Sequence, residues 1–197
     1  CMPRHPVARL FLCLLLLLPV GAGLCAQEAQ VEHVAVTLGP DGWRLDADID
    51  FELNPQLREA AERGLPLYLT ADVAISKPRW WWFDQPVIRE ERTWSISYNA
   101  LVRHWRVGSG GLAMPVSTLD EALTQIKHIR GWRIAPADAL QPDTRYHGRI
   151  RLRLDVTHLA RPFQVNALNS SAWSLTTPWR SFTIDTPSRI NVADNPP

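Results

Sequence analysis

The stretch "WRLDADIDFEL", residues 43–53, decides the fold because its polarity changes at every position. Every second residue is apolar, and the positions between them carry four carboxylates and one arginine. A period of two is typical of a β-strand that is buried on one face and solvated on the other. The segment "VAVTL" (residues 34–38) and the turn "GPDG" (residues 39–42) come just before it. Together these segments predict an antiparallel β-hairpin.

Similar alternation recurs along the chain. The predicted strands are "LYLTADVAIS" (residues 67–76), "TWSISY" (93–98), "GRIRLRLDV" (148–156), "SAWSL" (171–175) and "WRSFTI" (179–184). About eight short strands separated by turn residues predict an all-β protein, an antiparallel sandwich that is immunoglobulin-like in general architecture.

Two short helices are predicted as insertions between these strands. "NPQLREAAERG" (residues 54–64) has Asn54 as its N-cap, Pro55 at the first helical position and Gly64 just past its end. "STLDEALTQIKHIRG" (residues 117–131) has Ser117 as its predicted N-cap and Gly131 as its stop. The helices do not alternate with the strands, which argues against a parallel sheet.

The N-terminal segment has the pattern of a signal peptide. Basic residues precede the apolar run "LFLCLLLLLPV" (residues 10–20), and small residues follow it. The run is shorter than the roughly 20 residues that span a bilayer. We expect cleavage after Ala26, so residues 2–26 are a signal peptide, residues 27–184 a single domain and residues 185–197 a flexible polar tail. A lipid anchor on Cys25 is the alternative, but a lipobox requires a small residue where Leu24 stands.

Removal of this segment changes the composition. All three cysteines, Cys1, Cys13 and Cys25, precede the expected cleavage point, and an exported protein without disulfides fits a bacterial periplasm. Removing Arg4 and Arg9 from the 21 basic residues leaves 19 against 20 acidic residues, a formal net charge of −1. No basic field remains to attract nucleic acid or anionic lipid. The sequence also holds no second apolar run, so we expect a periplasmic protein without stable membrane insertion.

The acidic row of residues 46–52 does not fit a calcium loop. An EF-hand loop that begins at Asp46 requires Gly at its sixth position and Glu at its twelfth, where Phe51 and Leu57 stand. Asp46, Asp48 and Asp50 stand at every second position of a strand and are therefore spread over about 13 Å, too far for one ion to bind all three. We expect no metal site here.

A basic row of equal spacing is the alternative partner for these carboxylates. Arg149, Arg151 and Arg153 project from one face of the predicted strand at residues 148–156. Opposite charges on neighbouring strands pair across the ladder. The sequence therefore predicts that the acidic row and the basic row lie on one sheet face within ion-pairing distance. If the two strands are not neighbours, the arginines become candidates for binding an acidic partner.

No catalytic motif is visible. The histidines form none of the usual zinc spacings, and the pair Asp155 and His158 is interpreted as structural. Ser109 lies in "GSGG", which lacks the G-x-S-x-G frame of a nucleophile elbow. We predict that the protein is not an enzyme and binds no cofactor.

The run "KPRWWWFDQP" (residues 77–86) contains three consecutive tryptophans. In an extended strand Trp80 and Trp82 face one way and Trp81 the other, and Pro78 and Pro86 confine the run to a short edge strand. We predict that Trp81 lies in the core and that the chain covers at least one of Trp80 and Trp82. An aromatic binding surface for sugars or peptides is the alternative. Membrane contact is a third, which the charged neighbours of the run disfavour.

These segments also resemble domain-of-unknown-function family 4390. The blocks that carry the resemblance are "PRWWWFD", "WSISYNALVRHWRV", "STLDEALTQIKHIRGWRI", "YHGRIRLRLDVTHLARPFQVNAL" and "WSLTTPW", in this order. The resemblance covers roughly residues 31–184 and implies an exported proteobacterial protein of the group sometimes called proline-rich signal peptide proteins. It also implies a genomic association with two-component sensor kinases. It carries no catalytic residue over to this chain.

The sequence thus favours a non-enzymatic envelope protein that acts through a surface for an unknown protein partner. The alternative is a periplasmic binder of a glycan or another envelope ligand through exposed tryptophans. The candidate binding residues are Trp80, Trp82, Arg149, Arg151 and Arg153.

Overall fold

The computed structural model describes residues 29–81, 83–159, 161, 164 and 171–188. The predicted signal peptide and Trp82 lie outside the described residues. The strands are β1 (Gln30–Gly39), β2 (Gly42–Asp50), β3 (Leu67–Lys77), β4 (Gln85–Asn99), β5 (His104–Ser109), β6 (Leu112–Val116), β7 (His128–Ala135), β8 (Arg145–Leu154) and β9 (Arg180–Asp185). The α-helices are α1 (Pro55–Glu62) and α2 (Leu119–Lys127), and single 3-10 turns occupy Ala137–Ala139, Val156–His158 and Ser171–Trp173.

The strands form two antiparallel sheets. The smaller sheet has the order β1-β2-β7, and the larger has the order β6-β5-β4-β3-β8-β9. The predicted antiparallel sandwich with two short helices is therefore confirmed. Because β3 lies between β4 and β8, the outer face of the larger sheet brings their side chains into continuous rows.

The core fills the space between the two sheets. The odd-numbered residues of β2 from Trp43 to Ile49 are buried, and so are those of β3 from Leu67 to Ile75. The indole nitrogen of Trp43 donates to the Ala137 carbonyl over 3.2 Å, which satisfies its only polar atom. The alternation that predicted β2 is therefore the alternation between core and solvent.

The two helices have side-chain caps at their N-termini. Asn54 Oδ1 accepts from the Leu57 amide over 2.9 Å, as the sequence predicts. The second cap is Thr118 and not Ser117, because the Thr118 hydroxyl accepts from the Glu121 amide over 3.1 Å. The Ser117 amide instead donates to the Glu121 carboxylate over 2.8 Å.

Three local predictions are corrected by the structure. The second helix ends at Lys127, and the residues expected to extend it to Gly131 open strand β7. The segment predicted as a strand at residues 171–175 begins with the 3-10 turn Ser171–Trp173. Asp185, the predicted start of the tail, closes β9, and the buried Thr186 hydroxyl donates to the Gln141 carbonyl over 2.6 Å. The rest of that tail lies largely outside the described residues.

Candidate functional site

The two described tryptophans of the run, Trp80 and Trp81, lie in the loop between β3 and β4. β3 ends at Lys77, where Pro78 has no amide hydrogen to continue the ladder, and β4 begins at Gln85. The prediction of a core Trp81 is wrong, because this side chain is 65% exposed. Trp80 is 88% exposed and is therefore not covered, while Trp82, the other residue predicted to be covered, lies outside the described residues. The described residues between the two strands, 78–81 and 83–84, form a loop and not an edge strand. Phe83 is also exposed, at 85%. We call Trp80, Trp81 and Phe83 the aromatic tip.

The base of this loop is tied to the sandwich by polar contacts. Lys77 donates to the Gln141 side chain over 2.7 Å, and Arg79 donates to the Gln85 side chain. Asp84 accepts from the Ser76 hydroxyl over 3.4 Å. The charged neighbours of the tryptophans thus hold the loop base in place instead of covering the rings.

The two described tryptophans contact each other at a right angle. The ring centres of Trp80 and Trp81 are 4.5 Å apart, and the ring planes make an angle of 88°. Edge-to-face contact is a favourable geometry for an aromatic pair. The pair presents an L-shaped corner, which differs from the coplanar platform on which an extended sugar chain stacks.

The predicted pairing of the two charge rows is wrong. β2 belongs to the three-stranded sheet and β8 to the six-stranded sheet, so the acidic row 46–52 and the arginines are not neighbours. Two of the three arginines, Arg151 and Arg153, pair instead with Asp72 of β3. Arg151 Nε lies 2.7 Å and Arg153 Nε lies 3.1 Å from Asp72 Oδ2. Equal spacing of charges does not reveal which strands adjoin.

Arg153 has three carboxylate partners. Besides Asp72 it contacts Asp155 at 3.1 Å and Glu91 at 3.6 Å. Burial lowers the pKa of Arg153, but the hydrogen bond and charge of Asp72, with Asp155, outweigh burial and raise it above its ordinary value. The pKa of Asp155 is lowered. Burial would raise it, but hydrogen bonds from Thr157 and the charge of Arg153 have the larger combined effect.

The acidic row of β2 finds its partners on β7 and at the end of α2. Asp48 Oδ1 lies 2.8 Å from His128 Nδ1 and also pairs with Arg130. The hydrogen bond to His128, followed by that to Arg130, lowers the pKa of Asp48. Asp50 pairs with Lys127 at 3.4 Å. Two carboxylates of the row thus form ion pairs with β7 and α2, and a third, Asp46, accepts from the Gly131 amide over 2.6 Å.

Trp179 is a site residue that the sequence analysis missed. Its ring centre lies 4.7 Å from the guanidinium carbon of Arg149 and 4.5 Å from that of Arg151. Cation–π contacts of this kind hold both guanidinium groups against the sheet. The sequence places Trp179 just before the last strand, but the pairing of that strand, β9, with β8 is seen only in the structure. The contact was therefore not predictable from the sequence.

The remaining candidates for chemistry occupy structural positions. Asp155 caps the turn Val156–His158 and accepts from the Thr157 amide over 3.0 Å, while His158 Nε2 lies 4.0 Å from it. The Ser109 hydroxyl accepts from Arg92 Nε over 3.3 Å. Within the described ranges no group of three or more His, Cys, Asp or Glu is placed to hold a metal ion. No helix among the described residues is long and apolar enough to cross a membrane.

Comparison with known proteins identifies the family. The family described as Domain of unknown function (DUF4390) matches residues 26–183, which is most of the chain. The chain therefore belongs to this family, as the sequence resemblance indicates. No curated protein and no solved structure matches the chain.

Proposed function

We propose that this DUF4390 protein is an exported, non-catalytic binding module of the bacterial envelope, and that it recognises a protein partner through its aromatic tip. The observation that carries the proposal is the exposure of Trp80 and Trp81 on a loop whose base is fixed. Contiguous exposed apolar surface marks interaction sites on folded proteins. Tryptophan is among the residues most enriched in binding hot spots.

The geometry of the tip favours a protein partner. A hot-spot side chain inserts into a pocket on the partner and is desolvated on several sides. The perpendicular rings of Trp80 and Trp81 project a compact corner that such a pocket can enclose. Both rings are already held in contact with each other, which lowers the conformational entropy lost on binding.

Glycan binding is the second candidate, because an exposed indole face can stack on a sugar ring. Each tryptophan retains exposed surface even though the pair is not coplanar. Soluble glycan fragments released from the cell wall should then quench tryptophan fluorescence in the parent protein. The quenching should be absent from a Trp80→Ala/Trp81→Ala variant.

Photo-cross-linking in living cells tests for a protein partner. A photoreactive amino acid at position 81 should form a defined adduct, and the same group at position 101 serves as the control. Leu101 is 95% exposed on the loop at the other end of β4. An adduct at position 81 alone supports the proposal. Equal adducts at both positions, or none at position 81, would contradict it.

Export is part of the same proposal. It is supported by the apolar run of residues 10–20 and the small residues that follow it. N-terminal sequencing of protein recovered from the periplasmic fraction should give a start near Gln27. A chain that retains residues 10–18, or one lipidated on Cys25, would contradict the localisation.

A further inference from the structure

Two arginines flank a small residue on the outer face of the larger sheet. Ala74 of β3 pairs directly with Arg89 of β4 on one side and with Arg149 of β8 on the other. Directly paired residues of neighbouring strands project from the same face. Because the side chain of alanine is a single methyl group, the surface of the sheet is lower at Ala74 than at the arginine on either side of it.

In the part of the chain that the structure describes, these two cations have no carboxylate partner. The nearby carboxylate of Asp72 pairs with Arg151 and Arg153, and Glu91 pairs with Arg153. Among the residues that the structure describes, no carboxylate forms an ion pair with Arg89 or Arg149. Positive charge thus collects around Ala74 at one end of the arginine row and is neutralised at the other.

A groove of about 740 Å³ surrounds this position. Besides Ala74 and the two arginines, its lining includes the hydroxyl-bearing residues Ser181 and Thr183 of β9. Arg149 is held in place because its guanidinium carbon lies 4.7 Å from the Trp179 ring centre.

The groove also contains a carboxylate, that of Asp84. It accepts from the Ser76 hydroxyl, and its oxygen lies 3.6 Å from His147 Nδ1. Ser76 and His147 are paired in the row next to Ala74, so this carboxylate is bound at the loop side of the groove. It does not pair with either arginine.

We propose that Arg89 and Arg149 bind one anionic group, a phosphate or a carboxylate, above Ala74. A guanidinium presents two parallel N–H donors that match a pair of oxygens on such a group. The serine and threonine hydroxyls of β9 can donate to a remaining oxygen. The site lies beside the aromatic tip but does not include it. The anion-binding proposal therefore holds even if the aromatic tip binds no partner.

Calorimetric titration with inorganic phosphate at low ionic strength is the first test. The parent protein should bind phosphate, and Arg89→Gln or Arg149→Gln should weaken binding roughly tenfold or more, the loss expected for one charged hydrogen-bonding partner. Arg106→Gln is the matched control, because Arg106 is exposed on the same face of β5 and should not affect the affinity. Binding that both groove variants retain would overturn the proposal.

Vesicles distinguish the source of the anionic group. If the ligand is a lipid headgroup, the parent and the Arg106→Gln variant should co-sediment with phosphatidylglycerol vesicles, and Arg149→Gln should not. None of the three proteins should co-sediment with phosphatidylcholine vesicles. If the ligand is a soluble phosphate, the titration alone should give binding that depends on both arginines. A parent protein that binds neither phosphate nor vesicles would overturn the proposal.

A second variant supplies the anion from within the chain. Ala74→Glu places a carboxylate between the two arginines, as Asp72 lies beside Arg151 two residues away. It should abolish phosphate binding and raise the melting temperature by about 2–4 °C relative to Ala74→Gln, which has the same shape without the charge. A glutamate variant that melts no higher than the glutamine variant and still binds phosphate would contradict the site.

Discussion

Asp72 lies directly across from Arg151 on the outer face of the larger sheet, and Arg151 Nε donates to Asp72 Oδ2 over 2.7 Å. Arg153 donates to the same carboxylate over 3.1 Å. Asp72 is nearly buried, so removing its charge leaves two guanidinium groups without their shared partner. Because Asp72 already neutralises Arg151 and Arg153, this end of the arginine row is not available to bind an anionic ligand.

Asp72→Asn is therefore expected to destabilise the fold. Breaking a fully buried ion pair costs roughly 3–5 kcal/mol. Because the two arginines keep part of their exposure, we expect about 2 kcal/mol, measured by urea unfolding. Asp185→Asn is the control, since its pair with Arg145 is solvent-exposed and should contribute little. Equal effects of the two substitutions would show that the Asp72 cluster is not special.

The tryptophans should separate into two classes. Trp43 is 2% exposed, and Trp43→Ala should cost about 3–5 kcal/mol through the cavity that it leaves. Trp81→Ala removes an exposed ring and should change stability by less than about 0.5 kcal/mol. Thermal melts of the two variants beside the parent measure this difference. A large loss of stability in Trp81→Ala would mean that the tip packs against the protein.

The cap of α1 also joins two distant segments. Asn54 Oδ1 accepts from the Leu57 amide, and Asn54 Nδ2 donates to the Ala172 carbonyl over 2.8 Å. Asn54→Ala should lower the free energy of unfolding by about 1–2 kcal/mol. Asn54→Asp keeps the cap acceptor and loses the amide donor, so it should fall between the alanine variant and the parent. An alanine variant that unfolds with the parent would rule out this role.

The lowered pKa of Asp155 gives a pH dependence with a definite sign. A carboxyl group whose pKa is lower in the folded state stabilises the fold at pH values above its ordinary pKa of 3.8. That stabilisation is lost as the pH falls from there through the folded pKa. Asp155→Asn should thus be less stable than the parent at pH 7, and the difference should shrink below pH 4. Melting curves across this range test it, and a difference that does not vary with pH would contradict it.

The sequence was sufficient for the elements whose pattern reflects local burial. The alternation of residues 43–53 predicts β2, and Asn54 with Pro55 predicts the start of α1. Strand β7 was missed because the residues before Gly131 continue a helical pattern, while their pairing with β2 is set at long range. That omission also hid His128 and Arg130, the partners of the acidic row.

The candidate site was predictable in part. The sequence identified the tryptophans and the arginines as unusual, but not their surroundings. Whether Trp81 is buried depends on where β3 ends and β4 begins, and the hydrogen-bonded pairing of these two strands determines both positions. The role of Ala74 follows only from the order β4-β3-β8, which places one arginine on each side of it.

The central claim is tested most directly by measuring how tightly the partner identified by cross-linking binds to two double-alanine variants. Trp80→Ala/Trp81→Ala removes the aromatic tip, and Leu101→Ala/Val102→Ala removes exposed apolar side chains at the other end of β4. With both variants melting like the parent, the first should bind the purified partner at least about 30-fold more weakly, because hot-spot residues contribute about 2 kcal/mol or more. The second should bind like the parent. A tip variant that keeps the parental affinity would contradict the account.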